Sequence, residues 1–252
     1  MYSNIRIVLV GTSHPGNIGA SARAMKNMCL DQLYLVSPGD FPCAEATARA
    51  SGADNILAKA TVCDSLGEAL KGCRLVVGAS ARLRSLDWPQ MEPRKCAVSV
   101  VEVAQQAPVA VVFGREQSGL SNRELEQCQY LVHIPTNSEY SSLNLAAAVQ
   151  VLAYEIHQTG LLVIENQASA KAGSETGGEL PASADEVALF HQHLEKTLQD
   201  IDFLNPRQPK LLMRRLKRLF YRAGPDQTEI NILRGILSAV DRVASAYKDK
   251  KS

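Results

Sequence analysis

No two of the six cysteines in this 252-residue chain lie closer than ten positions, and no C-x-x-C pair occurs. That spacing supplies neither a zinc-ligand set nor a disulfide framework, so no metal is expected. Free thiols without a secretory leader fit a reducing cytoplasm. Net charge is equally scarce. Lys and Arg number 27 against 26 Asp and Glu, which leaves +1. No global field draws such a chain to nucleic acid, and any attraction must come from a local patch. The long uncharged run Tyr140–Tyr154 is too short to span a bilayer and contains Ser, Asn and Gln. No membrane is expected as a partner, and no internal repeat is visible. G-x-G-x-x-G is missing, which argues against a dinucleotide-binding Rossmann domain and against ordinary Rossmann methyltransferases. Gly11-x4-Gly16 has the glycine spacing of a phosphate loop, but Asn17-Ile18 stands where Lys and Ser or Thr are needed.

What is present is an apolar content of 46%, enough for a sizeable core. Ile5–Val10, Leu33–Val36, Leu75–Val77, Val109–Phe113 and Tyr130–Ile134 read as buried strands. Between them lie helical stretches: about Ala20 to Met28, Glu45–Ala53, Asp64 to Leu70 and Val98–Gln105. Ser121-x-x-Glu124 is a capping box that opens a short helix. After Asn144 another helix begins, with Leu145, Val149, Leu152 and Ile156 spaced along one face. Strands alternating with helices predict an α/β fold with a mainly parallel sheet over residues 1–160. Residues 161–184 are small, polar and charged, and read as a flexible linker. Residues 185–252 form a helical extension of three segments: Asp185–Asp200, Lys210–Tyr221 and Gln227–Tyr247.

Polar loops follow several strands, and in an open parallel sheet such loops gather on the ligand-binding edge. Gly114 to Gly119 ends the Val109 strand. Asn137 to Asn144 ends the Tyr130 strand. Asn17 is a good helix cap, and Ile18, Ala22, Met25 and Cys29 would be the buried stripe of its helix, with Arg23 away from it. Taken singly, each residue has an ordinary explanation. Arg23 fits a solvated arginine, Ser141, Ser142 and Asn144 fit helix caps, and Arg115 with Glu116 fits a surface pair.

Their joint order resembles the SPOUT, or α/β-knot, RNA methyltransferases. Asn17-Ile18-Gly19-Ala20-Ser21-Ala22-Arg23 is similar to that family's first motif. Phe113 through Leu120 is similar to the second, and Ile134-Pro135 through Ser141-Ser142-Leu143-Asn144-Leu145-Ala146 to the third. The resemblance implies a C-terminal trefoil knot in the sheet domain and a homodimer with each site near the interface. It implies S-adenosylmethionine bound by Ala79, Ser80, Ala81, Gly114, Ile134, Ser141, Ser142 and Leu143. Asn17, Arg23, Glu116, Ser142 and Asn144 would surround the reacting 2′-hydroxyl of a ribose. The implied reaction is 2′-O-methylation of tRNA, at cytidine or uridine 32 of the anticodon loop. The same chemistry on ribosomal RNA, or RNA binding without catalysis, fits these residues as well.

The extension points to RNA on its own account. Between Phe203 and Pro225 lie Arg207, Lys210, Arg214, Arg215, Lys217, Arg218 and Arg222, with no acidic residue. Leu211, Leu212, Leu216, Leu219 and Phe220 would anchor the opposite side. A solvated basic helix or a membrane-surface helix has the same pattern. Beside a ribose-modifying site, the tRNA backbone is the better partner. Arg23 would share that contact by holding a phosphate.

Overall fold

The computed structural model describes residues 1–81, 88–169, 181–205 and 211–249. They divide into two compact units, 1–178 and 179–252.

In the first unit a 3-10 turn leads into β1 (Ile5–Val10), α1 (Pro15–Asn27) and β2 (Gln32–Val36). Next come α2 (Ala44–Ala50), α3 (Asp54–Ala58), β3 (Thr61–Cys63), α4 (Leu66–Ala69) and β4 (Leu75–Ala79). The chain continues through β5 (Gln90–Met91), α5 (Pro93–Ala104), β6 (Val109–Phe113), α6 (Asn122–Leu125), β7 (Tyr130–Val132) and α7 (Leu145–Ser169). The seven strands form one sheet in the order β3-β2-β1-β6-β4-β7-β5. Every pairing between them is parallel, so the α/β expectation holds in its strictest form.

The central strands are apolar at nearly every position, Arg6 of β1 being the exception, because both faces are covered. Ile5, Ile7, Leu9, Val109, Val111 and Phe113 meet the stripes of α1, α5 and α7. Val8, Val76 and Val112 are fully buried on the other face. The expected stripe of α7 is buried, with Leu145 at 7% exposure and Val149, Leu152 and Ile156 at 1% or less. By length and composition Leu145–Glu165 is long and apolar enough to cross a membrane, as core helices often are. Here α7 packs on α1 and α5.

Several boundaries differ from expectation. Helix α1 begins at Pro15, not near Ala20. Pro15 occupies the first helical position, where its fixed φ suits a helix and its missing N–H costs nothing. His14 is the cap, its Nδ1 accepting from Gly16 N at 3.1 Å, and Asn17 therefore lies inside the first turn. Cys29 is exposed at φ 61°, past the helix end, so the buried stripe stops at Met25. The Glu45–Ala53 stretch is helical only to Ala50; the chain turns at Ser51 (φ 45°) and Gly52 (φ 88°), and α3 begins at Asp54. Ser65 caps α4 in place of Asp64. Pro93 starts α5 five residues early, again at a first helical position. Helix α7 runs to Ser169, through the first part of the segment read as a linker, because Leu161–Ile164 continue its apolar character.

The second unit holds α8 (Ala184–Asp200), α9 (Leu212–Ala223) and α10 (Gln227–Asp249). Ser183 and Glu186 form a capping box at the start of α8. Val187 and Leu194 of α8, and Ile230 and Leu237 of α10, are buried. Asp241 of α10 clasps α8 by accepting from Thr197 Oγ1 at 2.7 Å and facing His193 Nε2 at 2.9 Å. Helix α9 anchors through Tyr221, buried, and Phe220, whose ring meets Phe190 edge-on at 4.7 Å. Leu211 and Leu219, expected on the anchoring side, are instead 44% and 48% exposed. His191 is buried between these rings with Nε2 unpartnered. Burial, with Lys217 nearby, pushes its pKa down to about 3.

Candidate functional site

Four adjacent strands, β1, β6, β4 and β7, end on the same edge of the sheet. The loops that leave β4, β6 and β7 build one cavity. Residues 79–81 come from β4, 113–120 from β6, and 132–148 from β7 and the start of α7. The cavity measures about 210 Å³, room for a small molecule but not for an RNA strand, which could meet it only at the mouth. Its walls mix apolar groups (Phe113, Leu120, Val132, Leu145) with hydroxyls and backbone.

All eight residues assigned to the cofactor line this cavity: Ala79, Ser80, Ala81, Gly114, Ile134, Ser141, Ser142 and Leu143. The motif carries its own reason for glycine. A β-carbon on Gly114 would overlap the backbone of Gly119 and Leu120, where the loop returns. The return is held by a pair of hydrogen bonds, Arg115 N to Gly119 O at 3.2 Å and Gly119 N to Arg115 O at 2.8 Å. Gly119 sits at φ 67°, a conformation that favours glycine.

Arg115 and Glu116 are neighbours but not a pair. Arg115 Nη1 donates to both carboxylate oxygens of Glu124, at 3.0 and 3.1 Å. Glu124 is the third residue of α6 and completes the capping box with Ser121, so this ion pair ties the loop to that helix. Glu116 turns the other way, onto the start of α1. Its Oε1 accepts from Asn17 Nδ2 at 2.9 Å and His14 N at 3.3 Å, and its Oε2 accepts from Ser13 N and Oγ, both at 3.3 Å. Partial burial alone would raise the Glu116 pKa. The hydrogen bonds from Asn17, from its own backbone N–H and from Ser13 and His14 outweigh that, and the carboxyl is held below its ordinary value. A carboxylate at a helix N-terminus is also favoured by the helix dipole. The Ser13 and His14 contacts were missed in the sequence. The available signal was Pro15, which starts a helix directly after β1.

Asn144 closes the arrangement. Its Nδ2 donates to Asn17 Oδ1 at 3.0 Å, while its own Oδ1 caps α7 by accepting from Ala146 N at 2.9 Å. Glu116, Asn17 and Asn144 thus form one chain of side chains. It joins the loops after β1, β6 and β7. Ser142 is exposed in the cavity wall two residues from Asn144.

Arg23 is not brought to this group. It is exposed, lies outside the cavity lining, and has no hydrogen bond or ion pair among the described residues. Six helical positions separate it from Asn17, about 9 Å along α1 and roughly 120° around it. In the second unit Arg215 and Arg222 are exposed, and Arg214, Lys217 and Arg218 are half-buried. Arg207 and Lys210 fall outside the described residues. No His, Cys, Asp or Glu cluster suited to a metal occurs among the described residues.

A parallel α/β sheet with this cavity at its strand ends is the architecture of a known methylase class. Residues 4–154 match the SpoU rRNA Methylase family, and the chain belongs to that family. Residues 185–249 match the C-terminal domain of the tRNA methyltransferase TrmJ. The chain is 51% identical to tRNA (cytidine/uridine/adenosine-2′-O-)-methyltransferase TrmJ of Pseudomonas aeruginosa, covering 100% of this chain and 99% of that protein. It is also 51% identical to tRNA (cytidine/uridine-2′-O-)-methyltransferase TrmJ of Pectobacterium atrosepticum, over 96% and 98%. The crystal structure of TrmJ from Z. mobilis ZM4 is similar over 94% of this chain and 98% of that one, at 33% identity and TM-score 0.79.

Proposed function

We propose that this protein transfers a methyl group from S-adenosylmethionine to the ribose 2′-hydroxyl of tRNA, at nucleotide 32 of the anticodon loop. The observation that carries the reading is the Glu116–Asn17–Asn144 chain beside a small-molecule cavity, in a chain that matches the TrmJ relatives from end to end. The C-terminal match to a tRNA methyltransferase favours tRNA over ribosomal RNA. The relatives named above differ on adenosine at equal identity, and cytidine or uridine is common to both.

The cavity suits the cofactor. Ala79–Ala81, Gly114, Ile134 and Ser141–Leu143 would hold it, with the bare backbone of Gly114 packed against the returning loop and Phe113, Leu120 and Val132 giving an apolar wall. When bound, it supplies an electrophilic methyl on a sulfonium. The protein's part is mainly orientation, because an in-line displacement depends on holding the attacking oxygen in place. Ser142 and Asn144 orient the ribose. Asn17 fixes Asn144, and Glu116 fixes Asn17. Arg23 stays protonated, since its pKa lies above about 12, and it holds the phosphate and the developing oxyanion. Its distance along α1 from Asn17 supports service to the site of a second subunit. Exposed apolar residues on α7, Tyr154, Leu161, Leu162 and Ile164, support a homodimer. A threaded chain would also account for β7, the last strand, lying between β4 and β5, which precede it. The basic face of α9 would meet the tRNA backbone.

Mass spectrometry of tRNA from a deletion strain tests the reading. Loss of the 2′-O-methyl mark at nucleotide 32, restored by the purified protein and S-adenosylmethionine, is the expected result. Intact tRNA marks with a ribosomal RNA mark missing would move the substrate. Unchanged marks on both would end the catalytic reading.

A further inference from the structure

The loop between β7 and α7 contains an aromatic side chain that the fold does not use. Tyr140 is 80% exposed, more than any other large apolar side chain among the described residues. Its backbone is nevertheless held. Tyr140 N donates to Asn137 O at 3.1 Å, Glu139 N to Asn137 Oδ1 at 3.0 Å, and Thr136 Oγ1 to Ser141 O at 3.1 Å. These bonds close a tight turn that leaves the ring in solvent. The next three residues, Ser141–Leu143, line the cavity, and Asn144 follows. Tyr140 is thus an exposed ring one residue before the cavity lining and two before Ser142, one of the side chains proposed to orient the ribose.

We infer that Tyr140 is a stacking platform for the base of the target nucleotide. The inference rests on the ribose-methylating reading given above. A ribose delivered to Ser142 leaves its base without neighbours in the RNA stack, and proteins that bind single-stranded RNA receive such bases on aromatic rings. A ring accepts any base by its face, so the contact sets position rather than base identity. That suits a family whose relatives differ in the bases they accept.

The test uses the full-length protein and an anticodon stem-loop carrying fluorescent pyrrolocytidine at the target position. With the wild type the probe should be quenched on binding. Tyr140→Phe should keep the quenching and the activity. Tyr140→Ala should lose the quenching and reduce kcat/KM for tRNA by about 5- to 140-fold, the equivalent of about 1–3 kcal/mol of base stacking. Its affinity for S-adenosylmethionine and its sedimentation should not change. Normal quenching and turnover in Tyr140→Ala would overturn the inference. So would a change in oligomeric state, which would make the ring a protein contact. If the wild type transfers no methyl to tRNA, the proposed function fails, while the quenching series still decides for or against the ring.

Discussion

Asn144 donates its side-chain amide to Asn17 across 127 residues of sequence, at 3.0 Å. The donor caps α7 and the acceptor lies in the first turn of α1, so the bond fixes two helix starts against each other. Glu116 holds the far side of Asn17.

Glu116→Gln should disturb this arrangement while keeping its shape. One carboxylate oxygen becomes an NH2 group facing N–H donors, which cannot bond to it. The displaced Asn17 and Asn144 should slow methyl transfer by roughly 10²-fold, the scale of a 1 Å misplacement. The pH dependence of stability has a definite sign. The Glu116 pKa is below its usual 4.5 in the folded protein. Its contribution to stability is therefore complete above the unfolded value and is lost as pH falls through the folded one. Thermal melts of the wild type should fall more steeply with acidification through that range than melts of Glu116→Gln. Parallel curves would dissociate the carboxylate from the fold.

Gly114→Ala should not simply fill the cavity. The new methyl points into the backbone of Gly119–Leu120, so the loop from 114 to 120 must move as a unit. Binding of S-adenosylmethionine, measured by calorimetry, should weaken by about tenfold or more, at least about 1.4 kcal/mol. Far-ultraviolet circular dichroism should show the sheet intact. Unchanged affinity would detach this loop from the cofactor.

Arg23→Ala should leave stability within about 0.5 kcal/mol, because the side chain is exposed. Turnover should fall by roughly 10²–10³-fold, as when an oxyanion-stabilising donor is removed. Arg23→Lys should not restore it, since a point charge cannot reproduce the planar two-pronged contact. Mixed dimers of Arg23→Ala and Ser142→Ala chains should recover activity if each site borrows Arg23 from the other subunit. Inactive mixed dimers would assign Arg23 to its own subunit, and near-normal turnover of the Arg23→Ala homodimer would remove its role.

Replacing Arg215, Arg218 and Arg222 by Ala should weaken tRNA binding and flatten its salt dependence. For every arginine that neutralises a phosphate, its removal should reduce the slope of log affinity against log salt by about 0.7–0.9. Affinity for S-adenosylmethionine should be unaltered. A slope that does not move would make α9 an ordinary solvated helix.

The sheet was readable because buried parallel strands are short continuous apolar runs, and Val109–Phe113 and Ile5–Val10 have no other plausible use. The cavity's edge of the sheet followed from placing polar loops at strand ends, while its individual lining residues came from the resemblance to the SPOUT family. Helix starts were harder. Pro15 and Pro93 sit where glycine, asparagine and charge suggest loop, yet proline at a first helical position begins a helix. The hydrogen-bond directions were not legible at all. Arg115 and Glu116 are adjacent in sequence, but the strand end sends one to α6 and the other to α1. Tyr140 carried no pattern, since exposure of a single ring is decided by the turn around it.

The Asn17–Asn144 bond also dates the site within the life of the chain. During synthesis Asn17 emerges early, while its partner follows all seven strands of the sheet. A nascent chain that stops short of α7 has Glu116 and Asn17 but lacks the Asn144 that completes their chain of hydrogen bonds. Contacts this distant in sequence form late, because loop closure must come first. The Glu116–Asn17–Asn144 chain therefore closes in a late step, together with the helix that packs into the core.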